Sequence, residues 1–384
     1  MIEPTLTIDE AHRTWSAVVI GCGPAGAAAA IELSRRGVDT LLVDRKAMPR
    51  SKVCGGCVNL SALESLRSLG VEDELLRCGA HRLSRFRLFA QGRQATLEIP
   101  GGVSITRECM DAILTREAIR SGTSFLPETT VSLGETRSDH RELTFASRGR
   151  SVDVKVRVVV VAAGLGGQQL CSSDVEVRQS PGSRVGLGLV TDRVPGAVDE
   201  GSICMAVGRR GYVGLARAEN GSLSVAAAVD PKLTSGESHA GACQTILDEA
   251  GIDVSLEELS GTWHGTIQLT RRPAQPASQR LLYIGDSAGY VEPFTGEGMA
   301  WALRSGRMVA PVVMSGAEEW TTDIESEWCD VYHQNVRRRQ RLCRWIARGL
   351  RHPWLVSNAL TACNHAPWLM RPVVRRITGE AKVG

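Results

Sequence analysis

Aromatic side chains are scarce: they make up 4% of the 384 residues, and 8 of them are Trp. A chain so poor in stacking rings is not built to bind single-stranded nucleic acid, whose bases dock on successive aromatic faces. No run approaches the roughly 18 apolar residues that span a bilayer; the longest candidate, Val158 to Leu165, reads as a strand entering a glycine turn. The opening stretch from Met1 to Trp15 carries acids and no apolar run, so no secretory signal is legible. The 11 Cys, an odd number, then read as reduced thiols in a cytoplasm rather than a disulfide framework. Internal repeats and low-complexity linkers are absent too. What remains, at 43% hydrophobic and 23% charged, is an ordinary globular mix long enough for two or three structural units.

Glycine, by contrast, is abundant at 40 residues, which implies many close backbone approaches. The net charge of +3 hides a segregation. From Val331 onward ten Arg and one Lys meet a single acid, Glu380, so this tail is strongly basic while the preceding chain is net acidic.

Ala17 to Ile20 is a continuous apolar run of the kind buried in a parallel sheet. Pro24 to Arg36 is an alanine-rich helix closed by Gly37, and Thr40 to Val43 is the next strand, giving a βαβ unit. A helix is expected over Asn59 to Ser68, a hairpin over Phe86 to Ala90 and Gln94 to Ile99, and an amphipathic helix over Cys109 to Arg120. Val156 to Ala162 reads as a further parallel strand. Short strands dominate Val185 to Val229, with turns at Gly208 to Gly211 and at Asn220-Gly221. Leu281 to Gly285 is again a buried strand, followed by a helix from about Gly298 to Val309. The remainder is helical, broken at Pro353, Pro367 and Pro372. An α/β pattern at both ends with an antiparallel insertion implies a first domain that is discontinuous in sequence.

Gly21-Cys22-Gly23-Pro24-Ala25-Gly26 is G-x-G-x-x-G placed directly after a strand and opening a helix. The first glycine makes the tight turn, the second lets backbone N–H groups approach a pyrophosphate, and the third allows close helix–strand packing. The helix N-terminus adds partial positive charge. Asp44 ends the second strand, where a carboxylate accepts hydrogen bonds from an adenosine ribose. In this context the pattern means dinucleotide binding; a turn that merely packs is the rival reading. Near the other end, Gly285-Asp286 closes a strand, and Pro293-Phe294-Thr295-Gly296-Glu297-Gly298-Met299 leads into a helix. Asp286 suits a polyhydroxyl chain, and the Gly296 and Gly298 amides suit an electron-rich ring edge. A flavin has both parts; a nicotinamide needs neither.

The pairing of these glycine loops resembles the FAD-dependent para-hydroxybenzoate-hydroxylase-type fold, related to flavin monooxygenases and halogenases. Within that group, Pro49-Arg50-Ser51-Lys52-Val53-Cys54-Gly55-Gly56-Cys57 resembles the P-R-x-K-x-C-G-G stretch of the geranylgeranyl reductase family. Arg107, Asp111 and Leu114 resemble the Arg-x-x-x-Asp-x-x-Leu that opens a helix in these flavoproteins. The resemblance implies an α/β architecture: a discontinuous Rossmann-like FAD-binding domain over 1–80, 100–175 and 265–330, and an inserted antiparallel-sheet substrate domain over 81–99 and 176–264. A basic helical C-terminal segment, 331–384, follows. The implied FAD contacts are Gly21, Gly23, Pro24, Ala25, Gly26, Asp44, Arg45, Arg50, Cys54, Gly55, Arg107, Gly164, Gly285, Asp286, Pro293, Gly296, Gly298 and Met299.

Two departures qualify what the resemblance implies. Flavoprotein hydroxylases of this fold usually carry Asp-Gly where Ala163-Gly164 stands, which puts direct reduction by NADPH or NADH in doubt; a separate reductase or ferredoxin is the other electron source. Halogenases of the fold carry W-x-W-x-I-P, and no two Trp here lie two residues apart. The implied activity is reduction of a C=C bond in an apolar or conjugated molecule, isoprenoid- or polyketide-like, by hydride from flavin N5. The alternative is hydroxylation of a phenolic or polyketide-like compound through a flavin hydroperoxide.

The candidate catalytic residues are Cys54, Cys57, Lys52 and Glu297. Cys54-Gly55-Gly56-Cys57 has three readings: a metal site, for which no second ligand pair exists, so none is expected; a redox dithiol feeding the flavin; or a turn that brings backbone and a small thiol against the ring or substrate. Lys52 or Arg50 would then neutralise reduced flavin or phosphate. His264, Glu292 and Tyr212 are weaker candidates: a lone His is more often structural, Glu292 suits a helix N-terminal carboxylate that meets the dipole, and Tyr212 is equally well an inward core residue. In the tail, Leu342, Trp345 and Ile346 share one helical side among arginines, with Trp354 and Trp368 following. Such a helix either caps the FAD domain or lies on an anionic membrane surface; nucleic acid is a poor third. A protein in the cytoplasm, soluble or peripheral to the membrane, is expected.

Overall fold

Val18, Val19 and Ile20 are buried on both sides of their strand, which only a sheet covered on both faces allows. The computed structural model describes all residues except 171–176, 274, 293, 295 and 366–384. In it, Thr14–Ile20 lies at the centre of a parallel sheet, between Thr40–Val43 and Arg150–Val161. Ser124–Leu126 pairs beyond Thr40–Val43, and Leu281–Tyr283 pairs beyond Arg150–Val161. The strand order reverses between Thr14–Ile20 and Arg150–Val161, so their carboxyl ends open the crevice where such sheets bind ligands.

Arg150–Val161 shows why one strand can carry two sequence patterns. Its first half alternates exposed and buried residues and pairs antiparallel with Arg141–Ser147. Its last four residues, all valine, are wholly buried inside the parallel sheet. The sequence carries both patterns, alternation and then a valine run, and the expected strand from Val156 covers only the second.

The helix Pro24–Arg35 is rich in alanine because it is enclosed between the sheet and the long helix Glu297–Glu318. A Cβ on Gly306 would fall 2.1 Å from the Ala25 carbonyl oxygen, so the two helix backbones nearly touch. Close helix contact of this kind needs small residues on both partners.

A second sheet of seven strands runs in the order His264–Gln268, Val185–Thr191, Leu223–Val229, Gly211–Arg217, Ser202–Gly208, Arg85–Ala90 and Arg93–Glu98. The hairpins turn at Gly208 to Gly211 and at Glu219–Gly221, where Asn220 takes φ +58°. The helix His239–Ala250, which the sequence reading misses, covers one face of this sheet with Ala242, Cys243, Ile246 and Leu247. Its signals are present: Ser238 caps its N-terminus and Gly251 closes it in the left-handed region.

The other face of the sheet meets the C-terminal helices. Pro353–His365 packs on the outer strands, and Arg93 donates to Thr361 Oγ1 at 2.6 Å. Arg338–Gly349 reaches the parallel half, with Gln340 donating to the Gly289 carbonyl at 3.1 Å. The basic segment therefore straddles both sheets rather than covering the first alone. Trp368, Pro367 and Pro372 lie outside the described residues.

Candidate active site

The fingerprint turn divides its glycines by role. Gly21 sits at φ +109°, where a Cβ would lie 2.4 Å from the Ala162 carbonyl oxygen, and a Cβ on Gly26 would lie 1.8 Å from the Gly21 carbonyl oxygen. These two fasten turn to strand and helix to turn. Gly23 instead faces open space, its nearest neighbour being an Arg107 guanidinium nitrogen 3.5 Å from an added Cβ. Only Gly23 is small for the sake of something else.

Asp44 is held in place by the same turn. It accepts hydrogen bonds from the Cys22 N–H at 2.8 Å and the Lys46 N–H at 3.0 Å, and pairs with Arg50 at 3.1 Å. Arg50 Nε is buried with no partner among the described residues, as is Asn59 Nδ2 nearby in sequence. Buried donors left unmet are costly, which points to a polar group that the protein does not itself supply.

Arg107 opens the helix Arg107–Arg120, whose start is fixed by Thr106 accepting from the Cys109 N–H at 3.2 Å. Its guanidinium grips Asp111 through two bonds of 2.8 and 2.7 Å. Burial opposes the Arg107 charge, but Asp111 outweighs it and holds the pKa above the ordinary range. Lys52 and Asp286 lie half-buried beside it. Burial, and then Arg107, push the Lys52 ammonium down; burial pushes the Asp286 carboxyl up, against the pull of Lys52 and Arg107.

The Cys54–Cys57 turn ties the antiparallel sheet to the segment that leads into Arg107–Arg120. Ser224, on the antiparallel sheet, donates to the Cys54 carbonyl at 3.1 Å, and the Ile105 N–H donates to the Gly56 carbonyl at 2.9 Å. Gly56 takes φ +67°, where a Cβ would lie 2.7 Å from the Ile105 oxygen. The Cys57 thiol is pushed up to about 12 by burial and by Cys54. The Cys57 thiol also donates to the Gly55 carbonyl at 3.3 Å, within the same turn.

These elements enclose a cavity of about 530 Å³. One wall holds Gly23, Pro24, Ala25, Lys52, Arg107, Gly164, Gly285, Asp286, Gly296, Gly298 and Met299, together with Cys54, Gly55 and Cys57. The opposite wall is almost wholly apolar: Phe86, Leu88, Ile203, Met205 and Ala226 from the antiparallel sheet, and Ile346, Leu350 and Val356 from the C-terminal helices. Lys52, Arg107 and Asp286 are the charged residues that line it among those described.

Several expected residues are not part of this cavity's lining. Gly21 and Gly26 serve packing, while Asp44, Arg45 and Arg50 lie outside the lining. Glu297 is buried behind the loop, accepting from the Cys343 thiol at 3.1 Å, and burial raises its pKa. His264 lies exposed on the edge strand beside Gly188. Pro293 lies outside the described residues. The sequence reading also misses one buried ion pair behind the wall, Arg184 with Glu292 at 2.8 Å, and the lining residues Tyr290 and Asn59. Nothing in their local spacing distinguishes them from core residues.

A protein-family model described as FAD binding domain matches residues 14–336. The chain belongs to this FAD-binding family. Among its relatives is the menaquinone reductase of Mycolicibacterium smegmatis, 27% identical over 93% of this chain and 90% of that one. Digeranylgeranylglycerophospholipid reductase 1 of Methanothermobacter thermautotrophicus is 26% identical over 85% and 81%. A solved flavin-dependent brominase superposes with a TM-score of 0.80 at 16% identity, over 96% of this chain and 94% of that one, a likeness of fold. The chain is an FAD-dependent oxidoreductase of the kind that includes geranylgeranyl reductases.

The site fits FAD on its own observations. The open space at Gly23, the unmet Arg50 and Asn59 donors and the Lys52–Arg107 pair suit an anionic dinucleotide. Asp44 would hold the ribose, Asp286 the polyhydroxyl chain, and the Gly296–Gly298 amides the ring edge. Gly296 takes φ +69° as the cap of Glu297–Glu318, which aims that helix's N-terminus into the cavity wall.

Proposed function

We propose that this enzyme adds hydrogen across a carbon–carbon double bond of an apolar, isoprenoid-like molecule held between the antiparallel sheet and the FAD site. One observation carries the reading: the wall facing the cofactor side is almost wholly apolar, built from both the sheet and the C-terminal helices. An isolated alkene offers no polar handle, so only such a surface can bind and orient it. The relatives named above are, by name, reductases of menaquinone and of a geranylgeranyl lipid, which supports the same substrate class.

FAD bound here would supply the hydride once reduced. The chain's own residues align the double bond, and the proton comes from water or a nearby acid. Tyr212 and Tyr290 line the cavity, and burial holds both phenols protonated far above the usual value of 10. Tyr212 is hydrogen-bonded to Glu292, which Arg184 in turn fixes at 2.8 Å, so its hydroxyl keeps one position. The electrons come from NADPH or NADH, or from a separate reductase or ferredoxin.

The test is anaerobic incubation of the dithionite-reduced, FAD-loaded protein with polyprenyl lipids, followed by product mass. Gain of two hydrogens, both of them deuterium when reduction and turnover are run in heavy water, supports the reading. A product that forms only in air and carries an added oxygen overturns it in favour of hydroxylation.

A further inference from the structure

The helices Arg338–Gly349 and Pro353–His365 each have two working sides. Ile346, Gly349 and Leu350 on the first, and Val356 and Ala359 on the second, line the cavity. The neighbouring positions face solvent: Trp345 is 69% exposed, Trp354 56% and Leu342 37%. Leu355 does both, being 42% exposed and part of the lining, so the exposed apolar patch reaches the cavity mouth.

The same stretch is the most basic part of the described chain. Seven arginines fall between Arg337 and Arg351, and no Asp or Glu occurs from Val331 to His365. Arg338, Arg339, Arg341, Arg348 and Arg351 are exposed, and the Arg348 guanidinium sits 5.4 Å from the centre of the Trp345 ring. Exposed Trp interleaved with Arg, on helices too short to span a bilayer, matches the chemistry of a lipid–water interface.

We propose that this face docks on an anionic membrane surface, Trp345 and Trp354 entering the headgroup region and the arginines meeting lipid phosphates, so that the cavity mouth opens onto the bilayer. An acidic protein partner would satisfy the arginines, yet it would gain little from the exposed tryptophans at the cavity rim. The purpose of the docking rests on the apolar substrate proposed above, but the binding itself does not.

The FAD-loaded full chain is sedimented with vesicles of phosphatidylglycerol and phosphatidylcholine. Wild type is expected to pellet with anionic vesicles, to stay in solution with pure phosphatidylcholine, and to be released by salt. The Trp345→Ser/Trp354→Ser and Arg341→Glu/Arg348→Glu pairs are each expected to bind about tenfold more weakly or worse. Their flavin content and melting temperature are expected to stay at wild-type values, since none of the four residues lines the cavity. Failure of wild type to pellet, or variants that bind like wild type, would overturn the proposal. So would retention by an acidic soluble protein under conditions where vesicles are ignored. Turnover of detergent-dispersed polyprenyl lipid is measured alongside: if it persists without vesicle binding, docking alone is wrong and the proposed chemistry stands.

Discussion

The two walls of the cavity are specified in different ways. On the parallel-sheet side, a cofactor with fixed chemistry meets a few contiguous stretches: Gly21 to Gly26, Lys52 to Cys57, and Gly285 to Met299. On the antiparallel side, Phe86, Met205, Ala226 and Leu350 come from four distant segments and share only size and apolarity. A pyrophosphate constrains backbone, and backbone constraints leave local signatures. An apolar substrate constrains shape, which many sequences satisfy equally. The same contrast explains why family and cofactor follow from the chain while the substrate has to be proposed.

If the walls are separable, damage to one should spare the other. The largest effect is expected from Gly23→Val, whose side chain would fill the space facing Arg107: purified protein comes out colourless, with its fold intact by circular dichroism. Ala226→Phe is its counterpart, filling the opposite wall near Gly55; flavin absorbance should persist while turnover of polyprenyl lipid is lost. A colourless Ala226→Phe protein would break the separation. Asp286→Ala comes next, weakening FAD by about 1–3 kcal/mol, roughly 5- to 150-fold by titration, because a half-buried polar partner in the cavity lining is removed. Gly26→Ala sharpens the contrast with Gly23. Its Cβ would strike the Gly21 carbonyl, so about 1–3 kcal/mol of stability is lost, read by denaturant titration even without cofactor.

The smallest effect concerns pH. Glu297 is buried with its carboxyl pKa raised, so the folded state binds its proton more tightly than the unfolded state does. Its stabilising effect is present at acid pH and is lost as pH climbs from the ordinary Glu range through the raised value. Glu297→Gln should flatten that decline in melting temperature; an unchanged slope would place the buried charge elsewhere.

Much of the fold was legible where its signals are local, in both sheets. The strand–turn–helix at Gly21 to Gly26, the helix beginning at Arg107 and the hairpin at Asn220-Gly221 all stand where turn and capping chemistry put them. The first half of Arg150–Val161 is missing from the expected strand although Val152, Val154 and Val156 alternate with charged residues; it pairs antiparallel with Arg141–Ser147, outside the parallel core that the valine run marks. His239–Ala250 was missed although Ser238 and Gly251 bracket it, since its low charge and small residues blur the helical period. Arg184 and Glu292 were beyond reach for a different reason. They are 108 residues apart, and a buried ion pair has no signature until the fold closes it.

The reading of the apolar wall as an alkene site is tested most directly by one transient experiment. Dithionite-reduced, FAD-loaded protein is mixed without oxygen with a polyprenyl lipid, and the return of the oxidised flavin band is followed in wild type and in Ala226→Phe. Reoxidation at the rate of saturated product formation in wild type, and none in the variant, is the expected result. A flavin that stays reduced with every polyprenyl lipid yet reoxidises with hydroxylated product once air and a phenol are admitted would contradict it.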